Sequence, residues 1–572
     1  MQCAWIRHIV ALIAAAGMLA LPAAVAARPV GADATPTAVG TGGAAATVDV
    51  LATQAAVDAL RRGANAVDAA VVAAAVLGVV EPFSCGIGGG GFMVIRTRDG
   101  SVTTIDHRET APVAMQPDSF FEGGTPLPFN AARFSGLSVG VPGTVRGWDE
   151  ALAKYGTISL ADALRPAIRV ARDGFLVDQT FSTQTQQNVD FFDDITSTRA
   201  VYLEPDGTEY DVGDLFRNPD MARAYERIAH LGAKGFYRGA IADAMVTAVQ
   251  QPPVAADANH VWRPGVMTMR DVKNYAAPER PPTRIGYRGV DVFSMGPPSS
   301  GGSTAGEALN ILEGWDLSGD RVEAIHRFLE ASAVAFADRN AYLGDPDFVD
   351  VPLAGLLSDS YAAERRLLIG DRTGVPYPPG DPTDNEGPST THLTVADRWG
   401  NVVSYTFTIE SIGGAGITVP GWGFLLNNEL TDFNFDSLTH PNRVEGGKRP
   451  RSSMSPTIVL DDGRPLLALG SPGGSTIITV VLEILLNRLD FGMSLPDAIA
   501  APRASQRNTL TVTAEPAFRS AFEAALVTRG HRFTTTPEIG AATAIEFLGD
   551  GRVLAAAEPV RRGGGSAMVE GP

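Results

Sequence analysis

The chain has 572 residues, 45% apolar and 19% charged, with a formal net charge of -18. That length and apolar content exclude a disordered or fibrous protein and call for two domains or one large layered domain. The acidic balance repels phosphate backbones and anionic bilayers, so nucleic acid and lipid surfaces are excluded as natural partners and small molecules remain.

The first residues, "MQCAWIRHIVALIAAAGMLALPAAVAARPV", place Arg7 before an apolar run from Ile9 to Leu21 and close on Ala24, Val25 and Ala26. This is the pattern of an export signal, residues 1–27, with a cut near Ala27; the run is too short for a membrane span. The mature chain is expected to be secreted, periplasmic or at the cell surface. Cys3 leaves with the signal, so Cys85 has no partner and no disulfide is expected. A small-residue linker follows. Next, "ATVDVLATQAAVDALRRGANAVDAAVVAAAVLGVVEPF" predicts two helices broken at "RRGAN". In "SCGIGGGGFMVIRTRDG", Gly86, Gly88 and Gly91 match the dinucleotide pattern G-x-G-x-x-G, but a helix precedes and a strand follows, the reverse of what that motif needs. The glycines are read instead as a turn that lets a helix pack closely on a strand.

Helical periodicity ended by glycine recurs in "VPGTVRGWDEALAKYG", "LADALRPAIRVARDGF" and "MARAYERIAHLGAKGFY". "VDVFSMGPPSSGGSTAGEALNILEGWDL" predicts a strand, a loop and a helix from about Ser303, and "VEAIHRFLEASAVAFADRNAYLG" a further helix. Beyond Thr390 the pattern is mostly strand, with one strongly apolar helix, "STIITVVLEILLNRL". No internal repeat is present. The eight histidines show no H-x-x-x-H or Cys/His ligand spacing, so no metal and no cofactor is expected.

The stretch "YPPGDPTDNEGPSTTHLTVADRWGNVVSYTFTIE" passes from a solvated tether to a β-hairpin at Thr390. Alternation sets Thr390, His392 and Thr394 on one face and Leu393 and Val395 on the other. If Asp397 and Asn401 close the turn as a pair, Thr390 faces Thr408, with Glu410 just beyond on the same face. A tether over residues 371–389 that ends in a small residue before a threonine is what self-cleavage requires. The Thr390 Oγ attacks the Ser389 carbonyl, and hydrolysis of the ester frees an α-amine. That amine titrates near 7.7, so the new N-terminus carries both nucleophile and base.

From about Ala45 to the end the sequence resembles the γ-glutamyltranspeptidase family of N-terminal-nucleophile hydrolases. The motifs that carry the resemblance are "RRGANAVDAAVVAAAVLGVVEPFSCGIGGGGFM", "DHRETAP", "VPGTVRGW", "PPSSGGST", "TTHLTVAD", "LLNNELTDF", "KRPRSSMSPT" and "GSPGGS". The resemblance implies an α+β fold, a four-layer αββα sandwich built jointly by a large subunit (28–389, ending in a flexible tail 371–389) and a small subunit (390–572). It also implies roles. Thr390 is the nucleophile and Thr408 its hydrogen-bond partner. Gly473 and Gly474 offer N–H groups to the oxyanion. Arg108, Ser452 and Ser453 hold the glutamyl α-carboxylate. Glu429, Asp432 and Glu410 hold the α-ammonium.

Two departures stand out. Many members carry asparagine where this chain has Glu410, and the segment 432–452 is several residues shorter than in members with a loop over the pocket. An open site that leans toward hydrolysis is therefore expected. The expected activity is a γ-glutamyltransferase and glutathione hydrolase, with glutathione and other γ-glutamyl compounds as donors and water, amino acids or peptides as acceptors. A cephalosporin or glutaryl acylase and a poly-γ-glutamate-cleaving enzyme are the alternatives within the family. An uncleaved binding protein is the alternative outside enzymology.

Overall fold

The structure is a computed structural model that describes residues 35–378 and 390–571. The expected signal and residues 379–389 of the tether lie outside the described residues. Among the described residues no helix is long and apolar enough to cross a membrane.

Thirteen strands form one continuous antiparallel ladder that doubles over on itself. In order they are Glu279–Arg280, Val102–Asp106, Gly90–Arg96, Val402–Thr408, Thr391–Ala396 and Thr37–Thr47, then Val553–Ala557, Thr543–Phe547, Arg464–Gly470, Thr457–Asp461, Val290–Ser294 and Thr283–Tyr287. Ser566–Gly571 adds to Thr37–Thr47. The fold-over runs through Thr37–Thr47: residues 37–40 pair with the Val553–Ala557 strand, and residues 44–46 pair with Thr391–Ala396. The two halves then face each other. The Ser404 hydroxyl in one half donates to the Leu469 carbonyl of the other (2.9 Å) and accepts from the Thr457 N–H (3.0 Å).

Helices cover both outer faces. Val50–Arg61, Ala66–Val80, Thr144–Tyr155, Leu160–Asp173 and Pro219–Leu231 share a core with Met93, Ile95, Leu393, Val395, Tyr405 and Phe407. Gly301–Leu312, Arg321–Tyr342 and Thr476–Leu489 share the other core with Ile458, Leu467, Ala544 and Ile545. The result is the layer sequence α, β, β, α. The break at "RRGAN" falls where predicted, because Asn65 caps the second helix in a capping box with Asp68. Asp68 is tolerated inside that fully buried helix because its carboxylate also accepts from the Thr157 N–H (2.7 Å) and hydroxyl (2.5 Å).

The structure corrects two expectations. The small-residue linker is the Thr37–Thr47 strand at the centre of the sheet. Alanine and glycine have poor strand propensity, which hides it, but neighbouring strands press so close that little else fits. A Cβ on Gly40 would lie 2.1 Å from the Gly571 carbonyl oxygen, and one on Gly43 2.8 Å from that of Ala396. The tail also does not begin free at 371. Tyr377 is buried; its N–H donates to Asn508 Oδ1 (2.7 Å), its carbonyl accepts from Asn508 Nδ2 (3.0 Å), and its hydroxyl donates to Glu330. The segment leading to Tyr377 is therefore docked.

Candidate active site

The hairpin has the predicted register, with Thr391 opposite Phe407 and His392 opposite Thr406. Its turn is locked by Asp397, which accepts from the Asn401 N–H (3.0 Å) and Nδ2 (2.6 Å). Asp397 also accepts from the Ala66 N–H (2.9 Å), tying the hairpin to a helix start. One residue before the strand, the Thr390 Oγ1 donates to the Thr408 Oγ1 (3.4 Å), which in turn accepts from the Glu410 N–H (2.8 Å). The glycine turn serves this pair: a Cβ on Gly89 would lie 1.9 Å from the Thr408 carbonyl oxygen, and one on Gly91 2.4 Å from that of Thr406. Strand Gly90–Arg96 thus approaches the hairpin as only glycine allows.

Thr390 is 4% exposed and has φ of +136°, a conformation that costs a residue with a Cβ about 1–3 kcal/mol. The surroundings enforce it. The Arg562 Nη1 donates to the Thr390 carbonyl (2.7 Å) and its Nη2 to the Ser84 hydroxyl (3.3 Å). Sequence reasoning missed Arg562, because a basic glycine-rich loop more than a hundred residues away carries no local sign of its target.

A small pocket opens beside Thr390, lined by Arg108, Thr408, Glu410, Glu429, Asp432, Ser452, Ser453 and Gly474. Gly473 directly precedes Gly474, at the start of helix Thr476–Leu489. Both glycines have positive φ, +137° and +57°. Among the described residues neither N–H has an acceptor, so both are available to an anion.

The charged residues of the pocket pair with one another. Arg108 is fully buried and its guanidinium pairs with both Glu429 and Asp432. It also donates to the Pro450 (3.2 Å) and Arg451 (3.0 Å) carbonyls. Proximity of opposite charge in a buried site makes the pairing inevitable while no substrate is bound. Glu429 Oε2 keeps no hydrogen-bond partner. Glu410, at φ +74°, has its carboxylate held by Asn428 Nδ2 and the Ser411 hydroxyl. Glu410, Glu429 and Asp432 thus bring three carboxylates to the pocket lining.

The serines are set by the "PPSSGGST" loop. The Ser300 hydroxyl donates to the Ser452 carbonyl (2.6 Å), the Ser299 hydroxyl to the Met454 carbonyl (2.6 Å), and Arg339 Nη2 to the Ser453 hydroxyl (2.7 Å). A Cβ on Gly301 would strike the Met454 carbonyl oxygen at 2.4 Å, so this loop too is glycine by necessity. The short segment after Asp432 folds away from the pocket. Phe433, Phe435 and Val444 pack with Met115, Phe120 and Leu127 in a separate small core, and no residue from 433 to 451 lines the pocket.

The Gamma-glutamyltranspeptidase family model matches residues 52–568. The Glutathione hydrolase proenzyme of Bacillus subtilis (strain 168) is 39% identical over 526 residues, covering 87% of this chain and 86% of its own. The Acylase ACY 1 proenzyme of Pseudomonas sp. (strain V22) is 36% identical over 552 residues, covering 93% and 96%. Among solved structures, cephalosporin acylase from Bacillus halodurans superposes with a TM-score of 0.84 at 30% identity, covering 95% of this chain and 98% of its own. A family model spanning most of the chain, relatives alike over nearly their whole length and a shared four-layer fold lead to one conclusion: the chain is an enzyme of the gamma-glutamyltranspeptidase family.

Proposed function

We propose that the protein is a self-processing γ-glutamyltransferase and glutathione hydrolase whose nucleophile is Thr390. The observation that carries this reading is the convergence, in one pocket, of a paired threonine hydroxyl with a guanidinium, three carboxylates and two serines. A γ-glutamyl donor offers the complementary set: an α-carboxylate for Arg108, Ser452 and Ser453, and an α-ammonium for Glu410, Glu429 and Asp432. The unpartnered Glu429 Oε2 gives that ammonium an acceptor.

In the precursor, the Thr390 Oγ attacks the Ser389 carbonyl carbon, the C–N bond breaks and an ester forms. Water then splits the ester, leaving a carboxylate on Ser389 and an amine on Thr390. The strained φ of Thr390 favours this step, because cutting the 389–390 bond removes the constraint. In the mature enzyme the Thr390 amine takes the hydroxyl proton as Oγ attacks the γ-glutamyl carbonyl. The Gly473 and Gly474 N–H groups bind the oxyanion. Collapse expels the amine leaving group, which receives the proton, and water or an acceptor amine then cleaves the γ-glutamyl ester. Thr408 orients the nucleophile throughout. The pieces 28–389 and 390–572 stay together as a heterodimer, exported through residues 1–27.

An acylase acting on glutaryl substrates is the second reading, favoured by the B. halodurans likeness. Its substrates lack the α-ammonium and leave the unpartnered Glu429 Oε2 without a donor. The test expresses the wild type beside Thr390→Ala and sequences the fragments. The wild type yields a small fragment beginning Thr-Thr-His-Leu that hydrolyses a γ-glutamyl anilide well above a glutaryl anilide, and the variant stays whole. Two intact chains overturn the mechanism; preference for the glutaryl anilide overturns the substrate assignment.

A further inference from the structure

Far from the pocket, His326 and Glu330 lie one turn apart on helix Arg321–Tyr342, and His531 reaches them from the opposite side of the proposed cut. All three are fully or nearly fully buried. One donor atom from each lies within 4.8 Å of the others. No local spacing links the two histidines, which are 205 residues apart.

The hydrogen bonds around the cluster turn a His326 lone pair and a Glu330 carboxylate oxygen inward, with His531 Nε2–H donating to the former. His326 Nε2 lies 3.0 Å from the Gly370 carbonyl, which can only accept, so Nε2 carries the proton and Nδ1 is a bare lone pair. A histidine held this way, by its outer N–H on a backbone carbonyl, is oriented as metal-binding histidines are. His326 Nδ1 faces His531 Nε2 at 2.8 Å. Glu330 Oε2 accepts from the Gly374 N–H (2.8 Å) and the Tyr377 hydroxyl. Glu330 Oε1 is buried with no hydrogen bond, and lies 3.9 Å from His531 Nε2.

We propose that His326 Nδ1, His531 Nε2 and the Glu330 carboxylate form a structural zinc site. Two imidazoles and a carboxylate are a donor set suited to this ion. Bonds of about 2.0–2.2 Å in a tetrahedron put neighbouring donors about 3.3 Å apart. Two of the observed separations, 2.8 and 3.9 Å, bracket that value and all three donors lie within 4.8 Å of one another, so side-chain rotation can close them around one ion. On binding, the proton between the imidazoles moves to His531 Nδ1, so both rings stay neutral, and the ion supplies the orphaned carboxylate oxygen with a counter-charge. Tyr377, already on Glu330, or a water completes the fourth position. On the processing proposed above, the site clips the two pieces together: His326 and Glu330 precede the cut and His531 follows it.

The experiment loads chelator-stripped full-length wild type with Zn²⁺ and measures bound metal by mass spectrometry and affinity against a chromophoric chelator. One tight equivalent per chain is expected, with a rise in melting temperature. His531→Ala and Glu330→Gln are expected to lose at least about 100-fold in zinc affinity and the thermal shift. Co²⁺ loaded into the wild type gives the visible absorption of a tetrahedral site, a readout that does not depend on any variant folding. Thr390→Ala, which stays uncut, binds zinc as tightly as the wild type, so failure of processing and failure of the metal site are distinguishable. Wild type that takes up no zinc and gives no cobalt spectrum overturns the proposal, as does unchanged affinity in both ligand variants.

Discussion

The Thr390 hydroxyl stands 3.4 Å from that of Thr408, across the open end of an antiparallel hairpin, and the second hydroxyl is itself held by the Glu410 N–H. Thr408→Val keeps the shape and removes the oxygen. We expect kcat for a γ-glutamyl anilide to fall about 10- to 100-fold, on the scale of one lost hydrogen bond of about 1–3 kcal/mol, with KM little changed. A change confined to KM contradicts this role.

Gly89 packs against the same residue from the other side. Gly89→Ala puts a Cβ 1.9 Å from the Thr408 carbonyl oxygen, a clash with backbone that no side-chain motion relieves. Destabilisation by about 3 kcal/mol or more is expected. Thermal unfolding measures the loss, and gel analysis should show the chain accumulating uncut. Normal stability with normal cleavage refutes the close-approach argument.

The acid trio predicts discrimination by charge. Glu429→Gln leaves the side-chain shape but removes one charge facing the substrate ammonium. KM for the γ-glutamyl anilide is expected to rise about 10- to 100-fold, a charged hydrogen bond being worth about 1.5–3 kcal/mol. Turnover of a glutaryl anilide, which has no ammonium, should change far less. Equal losses on both substrates sink the assignment.

Glu109, beside Arg108, makes stability depend on pH. It is fully buried with no hydrogen bond to either carboxylate oxygen, and desolvation raises its pKa to about 8 against the pull of Arg108. The folded state therefore holds a proton that the unfolded state releases near pH 4.5. Stability from this group is present in full below about pH 4.5 and is lost as pH rises toward 8, at up to about 1.4 kcal/mol per pH unit. Glu109→Gln should flatten that part of the profile, as measured by denaturant unfolding between pH 5 and 8. An unchanged slope refutes it.

What the sequence disclosed follows the range of each signal. The hairpin register was legible because turn chemistry and alternation are local, and they set Thr390 against Thr408 before any coordinates. The break at "RRGAN" was legible for the same reason. The Thr37–Thr47 strand was not, because its alanines and glycines answer to the closeness of neighbouring strands rather than to strand propensity. The pairing of Arg108 with Glu429 and Asp432 was hidden too, since a resemblance assigns partners in the bound state and says nothing of where charges rest without substrate. The docking of Tyr377 under Asn508 and Glu330 lay equally out of reach: a run of prolines, glycines and acids looks solvated until the groove that receives its first residues is known.

The fold-over strand changes what it means for the chain to be cut. Thr37–Thr47, from the piece before Thr390, lies between Thr391–Ala396, Val553–Ala557 and Ser566–Gly571, all from the piece after it. Val402–Thr408, from the later piece, is in turn bordered by Gly90–Arg96 from the earlier one. On the processing proposed above, the two products are threaded through each other like the fingers of clasped hands, and no flat surface divides them. Parting them would mean breaking main-chain ladders on both sides of several strands, so the proposed heterodimer would have no dissociation equilibrium apart from its unfolding. Dilution should leave it whole at any concentration at which it remains folded.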